Sequence, residues 1–154
     1  MRDIAVTLVI LGSLPFILWR PWYGILVWSW LGFMNPHRLA WGFATTLPLA
    51  MVVALTTMVA LLLSREKRNF MWTREMVLIL IFLCWMVVTT TFSMYPWLAW
   101  DQFIKVSKIF LMIFIAAILI NSAERLQALV LVIALSLGFY GVKGGIFTIA
   151  HGGV

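Results

Sequence analysis

The chain has 154 residues, of which 64% are hydrophobic and 10% are charged, and its mean hydropathy is +1.08. This composition excludes a soluble globular domain, because a core of this size has no room for so much apolar surface, and it predicts an all-α, polytopic membrane helix bundle with about five to six transmembrane helices. The net charge of +6 does not indicate a nucleic-acid partner, since four of the eleven basic residues lie together between Arg65 and Arg74, as in the orientation signal of a membrane protein.

The first two apolar runs are short. The run from Ile4 to Trp19 is interrupted by Arg20-Pro21 before a second run from Trp22 to Met34. As a helix, the second run reaches only about 20 Å, which is less than a hydrocarbon core of about 30 Å. The pair therefore forms either two short spans or a re-entrant hairpin covered by other helices. The sequence leaves both alternatives open, as it does the side of the N-terminus.

The next element follows a turn predicted at Asn35-Pro36. The apolar run from Trp41 to Leu63 is long enough to span a membrane, and we expect Pro48 to kink it. The loop from Ser64 to Arg74 carries four basic residues against one acidic residue, Glu66. The positive-inside rule therefore makes residues 64–74 a basic cytoplasmic loop.

The rest of the chain alternates between the two sides of the membrane. The run from Met76 to about Phe92 returns outward, to a periplasmic loop at residues 93–102 that contains neither Lys nor Arg. The helix from Phe103 to Ile120 goes back in. After the polar turn Asn121–Arg125, whose Asn or Ser can cap a helix, the last predicted helix runs from Leu126 to about Val142.

The stretch from Trp97 to Lys108 carries charge into an apolar helix. Asp101, Lys105 and Lys108 are spaced four and three apart, so on an α-helix they share one face. The apolar run from Ile109 to Ile120 follows directly. Charged groups inside a membrane segment are costly and usually functional. The alternative is that both lysines extend to the nearby membrane surface with Asp101 as a partner, and the sequence does not decide between the two.

The predicted topology brings six charged or titratable side chains to the outer side, although the sequence scatters them. The positive-inside rule disfavours basic residues there, so an anionic ligand is the explanation that we expect. Phosphate or diphosphate suits such a cluster, because Arg binds it with a planar fork and Lys binds it as a point charge. The candidate diphosphate-binding residues are Lys105, Lys108, Arg38, His37 and Lys143, with Asp101 in a supporting role.

Patterns for catalysis are sparse. The sequence has no metal-ligand spacing, Gly-rich phosphate loop, nucleophile elbow or paired carboxylates, so we expect no metal and no cofactor. The single cysteine, Cys84, lies in an apolar run and is expected to be a small core residue. A stripe of small residues favours close helix packing over a substrate role. It comprises Ala134, Gly138, Gly141 and Gly145.

Four stretches resemble the N-terminal region of the O-glycosylation ligases associated with the exosortase A system, relatives of bacterial O-antigen ligases and polymerases. They are MNPHRLAWGF at residues 34–43, SREKR at 64–68, KVSKI at 105–109 and LSLGFYGVKGGIF at 135–147. The first and the last are the specific ones. The resemblance makes residues 1–154 a single N-terminal transmembrane domain of a longer protein, whose sequence continues with more membrane helices and a large periplasmic loop.

The resemblance implies a transferase that needs neither metal nor nucleotide. It would take a glycan from undecaprenyl diphosphate and attach it to an acceptor at the outer face of the bacterial inner membrane. The essential arginines and histidine of such ligases lie in a later portion, so no catalytic residue is assigned to this chain. Two alternatives stay open: a polysaccharide polymerase of the same superfamily, and a small anion or lipid transporter subunit in which Lys105 and Lys108 line a pathway.

Overall fold

The structure is a computed structural model, and it describes residues 2–36, 47–64, 73–150 and 152. These residues form six α-helices and contain no strand. Three of the helices, α4, α5 and α6, are long and apolar enough to cross a membrane, and α1 and α3 are shorter apolar helices. The predicted all-helical membrane fold is therefore confirmed. In chain order the helices are α1 (Arg2–Trp19), α2 (Trp22–Met34), α3 (Leu49–Leu63), α4 (Arg74–Thr91), α5 (Pro96–Leu119) and α6 (Ala123–Ala150).

Local polar residues set two of the helix ends, as the sequence predicts. α2 is followed by Asn35, which adopts the left-handed conformation with φ of 49° and whose N–H bonds to the carbonyl of Leu31 at 3.2 Å. Asn tolerates this conformation better than most residues do. At the start of α6 the hydroxyl of Ser122 accepts the N–H of Arg125 at 3.3 Å. The predicted turn after α2 and the predicted cap of the last helix are both confirmed.

Pro48 and Pro96 lie at the starts of helices, although the sequence predicted a kink at the first and a loop at the second. Pro48 does not kink a continuous helix, because α3 begins directly after it at Leu49. Likewise α5 begins at Pro96 instead of Phe103, so residues 96–102 of the predicted periplasmic loop are helical. Proline is favoured at a helix start, since its φ is already helical and the N–H that it lacks would have no intrahelical partner.

The last helix is longer than predicted. α6 continues to Ala150 instead of ending near Val142, because a helix is the form that satisfies backbone polar groups in apolar surroundings even where glycines are frequent. The small-residue stripe on this helix is exposed, and a Cβ added at Gly138, Gly141 or Gly145 meets no atom within 4 Å. The expectation that this stripe packs against another helix is wrong for the described part of the chain.

The helices group into two compact units. The first comprises Met1–Glu66 and Ile120–Val154 and holds α1, α2, α3 and α6, while the second comprises Lys67–Leu119 and holds α4 and α5. In the first unit α6 packs against α2. The first unit therefore joins the two ends of the described chain.

The short α2 is enclosed within the first unit. It packs against α1, α3 and α6, and its residues Ile25 and Leu31 are each only 1% exposed. α2, which is too short to span the hydrocarbon core alone, is therefore partly covered by protein, and this packing is compatible with both two short spans and a re-entrant hairpin. The buried core of this unit consists of Ile10, Ile17, Leu31, Leu49, Val53 and Ala60.

α2 and α3 approach each other closely at Gly24. A Cβ at this position would lie 2.0 Å from the Oγ1 atom of Thr57 and 2.9 Å from its Cβ atom. Thr57 is fully buried, and its hydroxyl donates to the carbonyl of Val53 at 2.7 Å, so its polar group is satisfied within its own helix. A small residue at such a crossing lets two backbones come together and gain dispersion contacts.

The second unit is a helix pair. α4 and α5 pack against each other, and the rings of Phe82 and Phe110 meet edge to face with their centroids 6.0 Å apart. Cys84 is exposed on α4, so the expectation of a core position for it is wrong. The reason is that α4 is apolar on every face, and an apolar neighbourhood in the sequence then gives no information about which face is buried.

Candidate functional site

Lys105 and Lys108 lie on one face of α5, as their spacing predicts. Both side chains are exposed, and so is Asp101 one turn earlier. α5 has 24 residues, which corresponds to a length of about 36 Å at 1.5 Å per residue. On the same scale, Lys105 lies about 14 Å and Lys108 about 18 Å from the first residue of the helix. Lys108 is therefore close to the middle of a helix that is long enough to cross a membrane.

Aromatic side chains mark the N-terminal part of α5. The rings of Trp100 and Phe103 meet edge to face with centroids 5.4 Å apart, and tryptophan favours the membrane interface. From Trp100 to Leu119 the helix rises about 29 Å, close to the hydrocarbon thickness of about 30 Å. With Trp100 at the interface, Lys108 is attached about 12 Å below it. A lysine at that depth needs an anion, water or protein cover near its ammonium group.

Asp101 does not pair with the lysines. The spacing of Asp101 and Lys105 permits an ion pair on a helix, but within the described residues neither Lys105 nor Lys108 forms one with Asp101. Two cations one turn apart on a single face can both reach the oxygens of one diphosphate, each as a point charge with up to three donors. The geometry of this face thus suits a doubly charged anion.

In the first unit, Tyr140 joins α6 to the C-terminal end of α2. Its hydroxyl donates to the carbonyl of Met34 at 2.5 Å, and this carbonyl is one of the last in α2, which have no partner within the helix. Lys143 follows one turn later and is exposed. The other two predicted ligands of this end, His37 and Arg38, lie outside the described residues.

The opposite end of the first unit carries two arginines over tryptophan rings. The guanidinium of Arg125 lies 5.6 Å from the ring centroid of Trp22, and that of Arg20 lies 5.7 Å from the ring of Trp19. Trp22 and Arg125 are at the starts of α2 and α6, while the Tyr140 contact joins their later parts, so these two helices run parallel. Cations with tryptophans are typical of a membrane interface.

An open groove of about 370 Å³ runs between α2 and α6. Its one hydroxyl belongs to Ser136 and donates to the carbonyl of Val132 at 2.6 Å, so it is already satisfied within α6. The groove therefore offers apolar contact and suits an apolar chain better than a polar substrate. It is lined by Leu26, Val27, Trp30, Met34, Val132, Leu135, Ser136 and Phe139.

The described residues supply charge and apolar surface. Among them, no group of three or more His, Cys, Asp or Glu side chains is placed to hold a metal ion. The structure brings Lys105, Lys108 and Asp101 together on one helix face, and it places Lys143 in the other unit. This arrangement can bind and orient an anion, and a reacting group would have to come from elsewhere.

Sequence reasoning missed the groove between α2 and α6. The signal was weak because both helices are apolar on all faces, so the periodicity of apolar residues does not single out the stripe that contains Val132, Ser136 and Phe139. The position of Tyr140 inside an apolar run was the available signal. A tyrosine in such surroundings usually has a hydrogen-bond partner, which indicates contact with another part of the chain.

A family model described as a family of unknown function, DUF5935, matches residues 1–154. No curated protein and no solved structure matches the chain. The family match covers both compact units. The description of the family gives no activity.

Proposed function

This chain belongs to DUF5935, a family of unknown function, and we propose that it is the N-terminal membrane portion of a glycan ligase. The ligase transfers a glycan from undecaprenyl diphosphate to an acceptor at the periplasmic face. The chain crosses the bacterial inner membrane several times. Its partners are the lipid bilayer, the lipid-linked glycan and the glycan acceptor.

The position of Lys105 and Lys108 is the observation that carries the proposal. Both are exposed on one face of α5, near the middle of an apolar helix, where a cation without an ionic partner is costly unless it serves an anion. In glycan transfer the diphosphate leaves, and its developing charge is stabilised by fixed cations in a low-dielectric site. We assign this role to the two lysines, with Asp101 in a supporting role.

The resemblance of the four sequence stretches to O-glycosylation ligases is the second support. It accounts for cations without an accompanying nucleophile or base, since the groups that perform the transfer belong to a later portion of such proteins. The prediction that Arg38, His37 and Lys143 also contact the diphosphate stays a prediction. A polymerase and a transporter are separated from a ligase by the following experiment.

Deleting the natural gene should leave the complete, full-length glycan on its lipid carrier at the periplasmic face, with the acceptor unmodified. Extraction of the lipid-linked glycan, sizing of its chains and its accessibility to a periplasmic glycosidase would measure this, and the intact gene supplied in trans is the control. Accumulation of single repeat units would indicate a polymerase, and accumulation on the cytoplasmic side would indicate a transporter. Either result would contradict the ligase.

The proposed orientation makes a separate prediction. A cysteine introduced by Asn69→Cys should be shielded from a membrane-impermeant thiol reagent in intact spheroplasts, whereas one introduced by Ser93→Cys should react, because only the first lies in the basic cytoplasmic loop. Both changes are made in a Cys84→Ser background, since the native cysteine is exposed. Permeabilised cells, in which both positions should react, are the control. The reverse pattern of labelling would overturn the orientation.

A further inference from the structure

We propose that the groove between α2 and α6 binds one acyl chain of an anionic phospholipid whose phosphate is held by Lys143. This inference concerns the first unit alone and does not depend on the proposed ligase activity. It assigns Lys143 to a phospholipid phosphate in place of the predicted contact with the diphosphate. It rests on three features of the unit: the position of the groove along α6, its size and apolar lining, and the cation that follows on the same helix face.

The groove lies near the middle of the span between Arg125 and Lys143, with its larger part toward Lys143. Arg125 and Lys143 are about 27 Å apart along the helix, close to the hydrocarbon thickness of about 30 Å, and no charged residue lies between them. With these two cations at opposite interfaces, the groove-lining residues from Val132 to Phe139 rise about 11 Å and end near the interface marked by Lys143. The groove thus extends from near the middle of this span toward the interface at Lys143, where the acyl chain of a lipid in that leaflet lies.

The size of the groove suits a single apolar chain. It is about 12 Å long between the levels of Leu26 and Met34. Its volume of about 370 Å³ is near the lower end of the range for small-molecule pockets. Two polar side-chain groups of the lining already have partners: the Ser136 hydroxyl donates to the Val132 carbonyl, and the Trp30 indole N–H donates to the Met34 sulfur at 2.9 Å. An apolar chain in the groove therefore leaves neither of them unsatisfied.

Lys143 supplies the charge complementarity. It follows Ser136 by seven residues and Phe139 by four, so it continues the groove-lining stripe one turn farther along α6. The nearby Tyr140 hydroxyl already donates its hydrogen bond to the Met34 carbonyl. The exposed ammonium group of Lys143 is therefore the polar group at this end of the stripe that can bind a lipid headgroup. A lipid chain that follows the stripe brings its phosphate to this ammonium, which favours an anionic headgroup over a zwitterionic one.

The test compares two lipids with identical acyl chains, phosphatidylglycerol and phosphatidylcholine, titrated onto the delipidated, detergent-purified chain and counted by native mass spectrometry. Lys143→Gln should lower the ratio of phosphatidylglycerol affinity to phosphatidylcholine affinity about fivefold, which is the effect of one interfacial cation. Lys143→Arg should leave this ratio unchanged. Val132→Trp, which fills the groove, should weaken the binding of both lipids. Val130→Trp is the matched control, because Val130 is exposed on α6 and does not line the groove.

Four outcomes would overturn the proposal. An unchanged preference for phosphatidylglycerol in Lys143→Gln would place the headgroup elsewhere, and equal lipid binding by Val132→Trp and Val130→Trp would place the chain elsewhere. A lipid-free dimer that Val132→Trp dissociates would make a second copy the occupant. Displacement of bound phosphatidylglycerol by an equimolar polyprenyl phosphate would make the carrier lipid, and not a phospholipid, the ligand of the groove.

Discussion

We expect the replacement of both Lys105 and Lys108 by methionine to lower glycan transfer by the intact natural protein about ten- to hundredfold when the lipid-linked donor is limiting. The expected loss corresponds to a charge-assisted hydrogen bond to the diphosphate, on the order of 1.5–3 kcal/mol. Membrane insertion and protein level should stay near normal, because a neutral side chain enters a membrane helix more readily than a charged one. Transfer is measured as glycan on the acceptor in cells that carry only the variant gene.

Anchoring of the helix is the competing role for these lysines. A lysine that only extends to the interface can be replaced by arginine or removed with little effect on transfer. Gln102→Met is the matched control, since Gln102 is an exposed polar residue on the same helix and has no assigned role. Transfer at the wild-type rate by the double lysine variant would make both residues anchors, and the diphosphate site would then lie elsewhere in the protein.

Asp101 has to be tested separately. It lies one turn before Lys105, so part of any loss in Lys105→Met can come from leaving its carboxylate without a nearby cation. Asp101→Asn is therefore measured alone and combined with Lys105→Met, which gives a double-mutant cycle. A coupling energy near zero would assign the loss in Lys105→Met to the lost contact with the lipid diphosphate and not to Asp101. A coupling as large as the loss itself would assign the loss to an interaction between Asp101 and Lys105 and not to the diphosphate.

The sequence was sufficient for the helical class and for most helix ends, because these depend on local chemistry. The break before α2, the Asn35 turn and the Ser122 cap each involve polar or conformationally special residues a few positions apart. Prolines were harder to interpret. Pro48 and Pro96 stand where either a kink inside a helix or a helix start is compatible with the local sequence, and the choice depends on how the chain packs.

The packing partners could not be predicted, since in this chain apolar residues face both protein and lipid. The glycines of α6 have the spacing of a packing stripe, but a Cβ added to any of them meets no described atom within 4 Å. Gly24 belongs to no stripe of small residues, and yet it lies against Thr57. Likewise the pairing of α2 with α6 joins residues that are far apart in the sequence. The candidate lysine face of α5 was predictable because its spacing is local and its charges stand out against an apolar run.

The contact between Gly24 and Thr57 leads to the largest expected effect on stability. We expect Gly24→Ala to lower the free energy of unfolding by about 3 kcal/mol, at the upper end of overpacking costs. The added methyl group would lie 2.0 Å from Oγ1 and 2.9 Å from Cβ of Thr57, whereas ordinary carbon contacts are about 3.5–4.0 Å. Rotation of the threonine side chain cannot relieve the contact with its Cβ atom, so α2 and α3 would have to separate.

Separation of these helices would also disturb the core that they share with α1, because buried packing is sensitive to shifts of a fraction of an ångström. The measurement is SDS-induced unfolding in mixed micelles, followed by circular dichroism. Gly32→Ala is the matched control on the same helix, since a Cβ at Gly32 meets nothing within 4 Å. It should leave stability unchanged or raise it by up to about 1 kcal/mol through helix propensity.

Compensation at Thr57 then identifies the cause of the loss. Gly24→Ala combined with Thr57→Ala should recover part of the stability, because the Oγ1 and Cγ2 contacts disappear while the 2.9 Å approach to Cβ remains. Gly24→Ala combined with Thr57→Gly removes every close contact with the side chain of residue 57 and should recover more of the lost stability. A cost of about 1 kcal/mol for placing a glycine inside a helix reduces this recovery. If Gly24→Ala unfolds at the same SDS fraction as Gly32→Ala, α2 and α3 do not cross closely at this residue.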